Sequence, residues 1–306
     1  MIQIKDTITL SGHQNPIFTV ENSMKPGIIF SGGNDKGVVE WSLKTPGFIK
    51  VLFPVRTSVY SLHSTRNHPF LLAGERSGQV NIYHFEEQKL IDPLVHHKLP
   101  VFDMKSVVSK NELLIASEDG SVSVWNLDEL KLVYNFQVSS STVRVISIST
   151  DEKTVAFGCK DNLIKIYSLI DYSLIAILDQ HTMPISSLQF STDGKYLLSG
   201  SRDAQLKIWD AKDYSLIKNI PAHLFSIYSI AFHPELPFVA TGSRDKSIKI
   251  WDTENYSLKK TISIEKGDHS HRLSINKIIW DPEGKKLISV SDDKLLKIWD
   301  IDLQAD

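Results

Sequence analysis

A single cysteine, Cys159, stands in the 306 residues, so no internal disulfide can form and the framework of a small secreted domain is excluded. No run of about 18 apolar residues occurs, which excludes a membrane-spanning helix on composition. The first ten residues alternate polar and apolar and lack the charged-then-apolar layout of a secretory signal. An excess of one charge is missing too: 34 Lys and Arg face 36 Asp and Glu, so no global field draws the chain to nucleic acid or an anionic membrane. Glycine-rich phosphate loops are absent, and no long helical periodicity competes with the short strand-like runs. The expectation is a soluble, cytoplasmic protein whose charged sites arise from local sorting.

What is present is a repeat. Lys207-Ile208-Trp209-Asp210, Lys249-Ile250-Trp251-Asp252 and Lys297-Ile298-Trp299-Asp300 are near copies, and weaker copies end in Trp41, Tyr83, Trp125 and Tyr167. These seven aromatics follow one another at intervals of 42 residues five times and 48 once. Chance does not produce five identical intervals, and a period of this size is the mark of a repeat architecture. Other columns keep the same spacing. Twenty-eight residues before the aromatic stand His13, His97, His181, His223 and His271, with Val55 and Ser139 in repeats two and four. Six before it stand Asp35, Asp119, Asp161, Asp203, Asp245 and Asp293, with Ser77 in repeat two. Ten before it stand Ser31, Ser199, Thr241 and Ser289.

Within a repeat, short apolar runs such as Ile185 to Phe190 and Tyr196 to Ser201 are divided by turn signals such as Thr192-Asp193-Gly194. Four short strands per 42 residues make a propeller blade. These columns resemble the WD-repeat family across essentially the whole chain, most closely in repeats five to seven. The fold expected is all-β: one domain over residues 1–306, a seven-bladed propeller of four-stranded antiparallel blades. Only seven residues follow Trp299, too few for a last outer strand, whereas Asp6 to Leu10 occupy the outer-strand slot before His13. The N-terminal strand is therefore expected to complete the last blade and close the ring.

Ser, His and Asp in one repeat suggest a nucleophilic triad. However, the full set His, Ser or Thr, Asp, Trp occurs four times: His13, Ser31, Asp35, Trp41; His181, Ser199, Asp203, Trp209; His223, Thr241, Asp245, Trp251; His271, Ser289, Asp293, Trp299. A catalytic site is needed once and a fold element once per blade. The resemblance implies that each tetrad is a hydrogen-bonded chain inside its blade, so no catalytic residue is assigned. Repeat three has Ile115 in the hydroxyl slot, so its network is expected to be shortened. Asp268, His269 and His271 form the densest metal-like cluster, but the spacing fits no strong motif, and the six extra residues there read as a longer loop. No metal and no cofactor is expected. Cys159 occupies a second-strand slot and reads as a small buried side chain.

The resemblance also implies a binding surface, because two columns project onto the face near the tetrad histidines. Five residues after the histidine slot are Phe18, Tyr60, Phe102, Arg144, Ser186, Tyr228 and Asn276. Just before the aspartate slot are Asn34, Arg76, Glu118, Lys160, Arg202, Arg244 and Asp292. Aromatics gather in blades one to three and cations in blades four to six. The function expected is a non-catalytic scaffold that binds a protein or peptide, acidic or phosphorylated, through Phe18, Tyr60, Arg76, Phe102, Arg144, Lys160, Arg202, Tyr228 and Arg244. The rival readings are a lactonase- or hydrolase-type propeller enzyme with a channel site, and single-stranded RNA binding.

Overall fold

A computed structural model describes residues 2–303. Seven four-stranded antiparallel sheets follow one another around a ring. Blade one spans residues 17–54, blade two 59–95, blade three 101–137, blade four 143–178, blade five 185–221 and blade six 227–262. Blade seven is built from Ile275–Trp280, Lys286–Ser291, Leu296–Asp302 and, as its outer strand, β1 (Gln3–Leu10). The β1 register against the C-terminal strand runs from Gln3 opposite Asp302 to Leu10 opposite Leu296. Lys297 Nζ donates to Thr9 Oγ1 at 2.8 Å across this seam. The ring thus closes with the first strand, as the spacing predicts.

The strands are short because turn chemistry interrupts them on a fixed count. In each hairpin between the second and third strands, the residue after the aspartate slot has a positive φ: Lys36, Gly78, Gly120, Asn162, Ala204, Lys246 and Lys294. In blade five the preceding aspartate supports that strain, since Asp203 Oδ1 accepts the Gln205 N–H at 2.9 Å. Apolar side chains alternate along each strand and meet those of the next blade, so the core lies between blades. One cluster joins Val20, Ile29 and Trp41 of blade one to Ile288, Val290 and Ile298 of blade seven. Close approach requires a missing side chain at Gly200, where a Cβ would meet Ile227 Cγ2 of the next blade at 2.7 Å. The long interval before Trp299 contains a 3-10 turn, Ile264–Lys266, closed by Gly267 at φ 86. No helix among the described residues is long and apolar enough to cross a membrane.

Candidate functional site

The four tetrads are continuous relays. In blade five Trp209 Nε1–H donates to Ser199 Oγ at 2.8 Å, Ser199 Oγ meets His181 Nε2 at 2.8 Å, and His181 Nδ1 meets Asp203 Oδ2 at 2.8 Å. Blade one repeats this at 2.7, 2.7 and 2.5 Å, blade six through Thr241 at 2.9, 2.8 and 2.8 Å, and blade seven at 2.8, 2.8 and 2.9 Å. Indole can only donate, so the hydroxyl accepts it and spends its own hydrogen on Nε2; Nδ1 then carries the imidazole hydrogen toward the carboxylate. Neutral histidine satisfies every member, and burial lowers the pKa of His13, His223 and His271 in keeping with that, against the opposing pull of their aspartates. The hydroxyls Ser31, Ser199, Thr241 and Ser289 are fully buried and engaged on both sides, so no substrate carbonyl can reach them.

The expectation for blade three is corrected. Its relay is complete, because the hydroxyl comes from the opposing strand: Ser123 is the cross-strand partner of Ile115. Trp125 Nε1–H donates to Ser123 Oγ at 3.0 Å, and Ser123 Oγ meets His97 Nε2 at 2.9 Å. Blade two, which lacks the tetrad, buries a different network. Glu75, 1% exposed, accepts from the Thr57 N–H and hydroxyl at 2.7 Å each and from the Asn81 amide at 2.5 Å. In blade four Ser139 Oγ donates to Asp161 at 2.6 Å, and Lys165 pairs with the same carboxylate at 3.1 Å. Sequence columns missed Ser123 and Glu75 because the polar group had moved to a neighbouring slot; a polar residue at an inward strand position was the available signal.

The column five residues after the histidine slot has a structural cause. Each blade carries a β-bulge there, between positions such as Ile17 and Thr19 or Val59 and Ser61. A bulge leaves one residue out of the ladder and re-aims its side chain. Phe18 stacks on Tyr60 with centroids 5.2 Å apart, Tyr60 meets Phe102 at 5.3 Å, and the Arg144 guanidinium lies 4.7 Å over Phe102. The four residues form a ladder across blades one to four around the channel mouth. Arg144 is itself exposed, and desolvation by the protein packed around it lowers its pKa, while Tyr228 opposes the shift and Arg202 adds to it. The column is used differently farther round. Ser186 Oγ donates to the Ile227 carbonyl at 2.7 Å and the Asn276 amide to Ile17 O at 2.8 Å, each tying neighbouring blades, while the same amide donates to Asp292 Oδ1 within blade seven at 2.8 Å.

Arg76, Lys160, Arg202 and Arg244 are exposed on this face, Glu118 and Asp292 half-buried. Arg244 lies 5.9 Å from the Phe225 ring. A further apolar set lies in the loops that begin at the tetrad histidines: Leu224 is 83% exposed and Phe225 56%, with Leu99, Met183 and Leu273 also open. Sequence reading passed over these residues, although each lies one or two positions after a column histidine.

The metal-like cluster is dispersed by the fold. His271 belongs to its tetrad, and Asp268 Oδ2 accepts the Ser263 N–H at 3.0 Å within the loop. Among the described residues no three His, Cys, Asp or Glu side chains converge. Cys159 is fully buried, and burial raises its thiol pKa to about 12, far from thiolate chemistry.

No curated protein sequence matches the chain. The family description "WD domain, G-beta repeat" matches residues 130–168, 172–210, 214–252 and 262–300, just over half of the chain. Each matched span begins on or just before the outer strand of one blade and ends on the third strand of the next, the same offset that leaves β1 to finish blade seven. With seven blades, the repeated tetrads and these four spans, the chain belongs to the WD-repeat family of β-propellers.

Proposed function

We propose that this propeller is a non-catalytic, single-domain scaffold whose face near the tetrad histidines binds an acidic or phosphorylated peptide. The observation that carries this reading is the ladder Phe18–Tyr60–Phe102–Arg144 beside the exposed Arg202 and Arg244. Stacked aromatics offer apolar area at low entropic cost, and arginines offer forked donors to carboxylate or phosphate. The peptide lies with apolar side chains toward Phe18, Tyr60 and Phe102. Its acidic groups face Arg144, Lys160, Arg202 and Arg244, with Arg76 and Tyr228 at the margins. Buried, doubly engaged hydroxyls and the lack of converging ligating groups among the described residues favour this over a hydrolase reading.

The test is the double variant Arg202→Glu with Arg244→Glu, alongside Tyr60→Ala, against a partner recovered by affinity capture. The reading expects both folded variants to weaken binding at least about tenfold, the effect of one or two interface anchors. Unaltered affinity in both overturns it. Binding of single-stranded RNA that both variants abolish would keep the surface and replace the partner class.

A further inference from the structure

On the face opposite the tetrad histidines, a cavity of about 210 Å³ opens between blades five and six. The loops after the first strands of both blades and the turn 253–256 of blade six form its walls. Tyr196, Phe232, Leu236 and Tyr256 line it, with the carboxylates Asp193 and Glu235 at the rim. Its volume is below the roughly 300 Å³ where small-molecule sites begin, and suits one long side chain. Tyr256 is 7% exposed, yet its hydroxyl has no hydrogen-bond partner among the described residues. A buried hydroxyl in that condition is rare and unfavourable.

The same molecule contains a filled version of this place two blades earlier. Tyr172 occupies in blade four the turn position that Tyr256 occupies in blade six, and Glu112 occupies the strand slot of Tyr196. There the Tyr172 hydroxyl donates to Glu112, and a lysine completes the arrangement. Lys110 Nζ lies 4.5 Å over the Tyr172 ring, 3.0 Å from Glu112, 2.9 Å from the Leu169 carbonyl and 3.5 Å from the Tyr172 hydroxyl. Between blades five and six the ring, the hydroxyl and the corresponding carbonyl-bearing residue, Thr253, recur, and the internal lysine does not. The loop reads Asp193-Gly194-Lys195, and Lys195 is turned outward, 71% exposed, against Asp193 at 3.2 Å. A pair so exposed holds weakly and can open.

We propose that the cavity between blades five and six takes a lysine side chain from a partner polypeptide, seated on Tyr256 as Lys110 is seated on Tyr172. The four-carbon stem packs on Phe232 and Leu236. The ammonium lies over the Tyr256 ring as that of Lys110 lies over Tyr172, with Asp193 and Glu235 supplying opposite charge at the rim. This site shares no residue with the histidine face and stands whether or not that face binds a peptide.

The test uses the full chain with isotopically labelled tyrosine rings and two blocked tripeptides, one centred on lysine and one on norleucine. The lysine peptide is expected to shift the Tyr196 and Tyr256 ring resonances saturably, with Kd on the order of 1 mM for one isolated side chain. The norleucine peptide is expected to leave them in place. Asp193→Asn with Glu235→Gln changes two exposed side chains and should weaken lysine binding about fivefold to tenfold without loss of fold. Tyr256→Leu, if folded, should abolish it. Equal shifts by the two peptides, no shift by lysine at about ten times that Kd, or equal affinity in the carboxamide variant each overturn the assignment.

Discussion

Ser123 stands directly across from Ile115 in blade three, and its hydroxyl bridges His97 and Trp125 where a residue on the Ile115 strand does so in blade five. Oγ reaches both partners from the adjacent strand because cross-strand Cβ atoms lie only about 5 Å apart. Ser123→Ala should therefore destabilise the protein as much as Ser199→Ala, by about 1 to 3 kcal/mol, since each leaves a buried indole N–H and an imidazole nitrogen unpaired. Adding Ile115→Ser to Ser123→Ala should recover part of the loss. Urea unfolding of the three variants checks this, and a negligible cost for Ser123→Ala would count against a working relay in blade three.

Blade two makes the parallel case for Glu75. Three donors converge on its buried carboxylate, so Glu75→Ala should cost about 2 to 3 kcal/mol, comparable to or above Asp203→Ala. Ser77→Ala, at the exposed residue in the aspartate column, should stay within about 0.5 kcal/mol of the parent. Melting temperatures of the three proteins separate the alternatives.

These two blades show what a column reading can and cannot see. Where His181, Ser199, Asp203 and Trp209 keep their slots, a fixed spacing is enough to find the relay. Where the hydroxyl crosses to Ser123 or the carboxylate shifts to Glu75, the spacing breaks while the chemistry survives, because a blade requires satisfied buried groups and not particular positions. The ring closure was legible from Asp6 to Leu10, which fill the outer-strand slot before His13. The ladder was legible as a column, but the bulge that turns Phe18 and Tyr60 toward the mouth is not a sequence feature. The cavity beside Tyr256 joins side chains some 60 residues apart in sequence on two blades, and no single repeat carries its signal.

Acid should unfold this propeller in two stages. Burial holds His13, His223 and His271 below their ordinary 6.5. For Asp203 burial pushes upward, but the hydrogen bond from His181, with those from the Gln205 and Thr182 backbone N–H groups, outweighs it and brings the group down to about 2. In both cases the unfolded chain takes up the proton first, so stability is present above the unfolded pKa and lost as pH falls. Stability should be flat above pH 7, decline as pH falls through 6.5, and drop again from about 4 toward 2. Asp203→Asn should lower stability at neutral pH and flatten the second decline. Urea midpoints measured across this range decide it, and a midpoint that rises on acidification below pH 6 contradicts the neutral-histidine relay.

Closure by β1 is testable in two pieces. Removing residues 1–11 strips the outer strand from blade seven, exposing the edge of Leu296–Asp302 and removing Leu10 and Ile8 from the core between blades seven and one. A fall in melting temperature on the order of 10 °C or outright aggregation is expected. A synthetic peptide of residues 1–11 added in trans should restore part of the loss by pairing with the open edge, and a scrambled peptide should not. A truncated protein that melts like the parent would show that the seam carries no stability.

Two tyrosines in equivalent turns should respond oppositely to losing one oxygen. The Tyr172 hydroxyl donates to Glu112, so Tyr172→Phe removes a charge-assisted hydrogen bond and leaves Glu112 with Lys110 alone. A cost of about 1 to 2 kcal/mol is expected. The Tyr256 hydroxyl is buried without a partner among the described residues, so Tyr256→Phe removes an unfavourable group while keeping the ring and its edge-on contact with Tyr196 at 6.0 Å. That change should leave stability unaltered or raise it by about 1 kcal/mol. Chemical denaturation of both variants at neutral pH provides the comparison. A loss at Tyr256 equal to that at Tyr172 would mean that its hydroxyl is satisfied in solution, and the contrast between the filled and the open junction would fall with it.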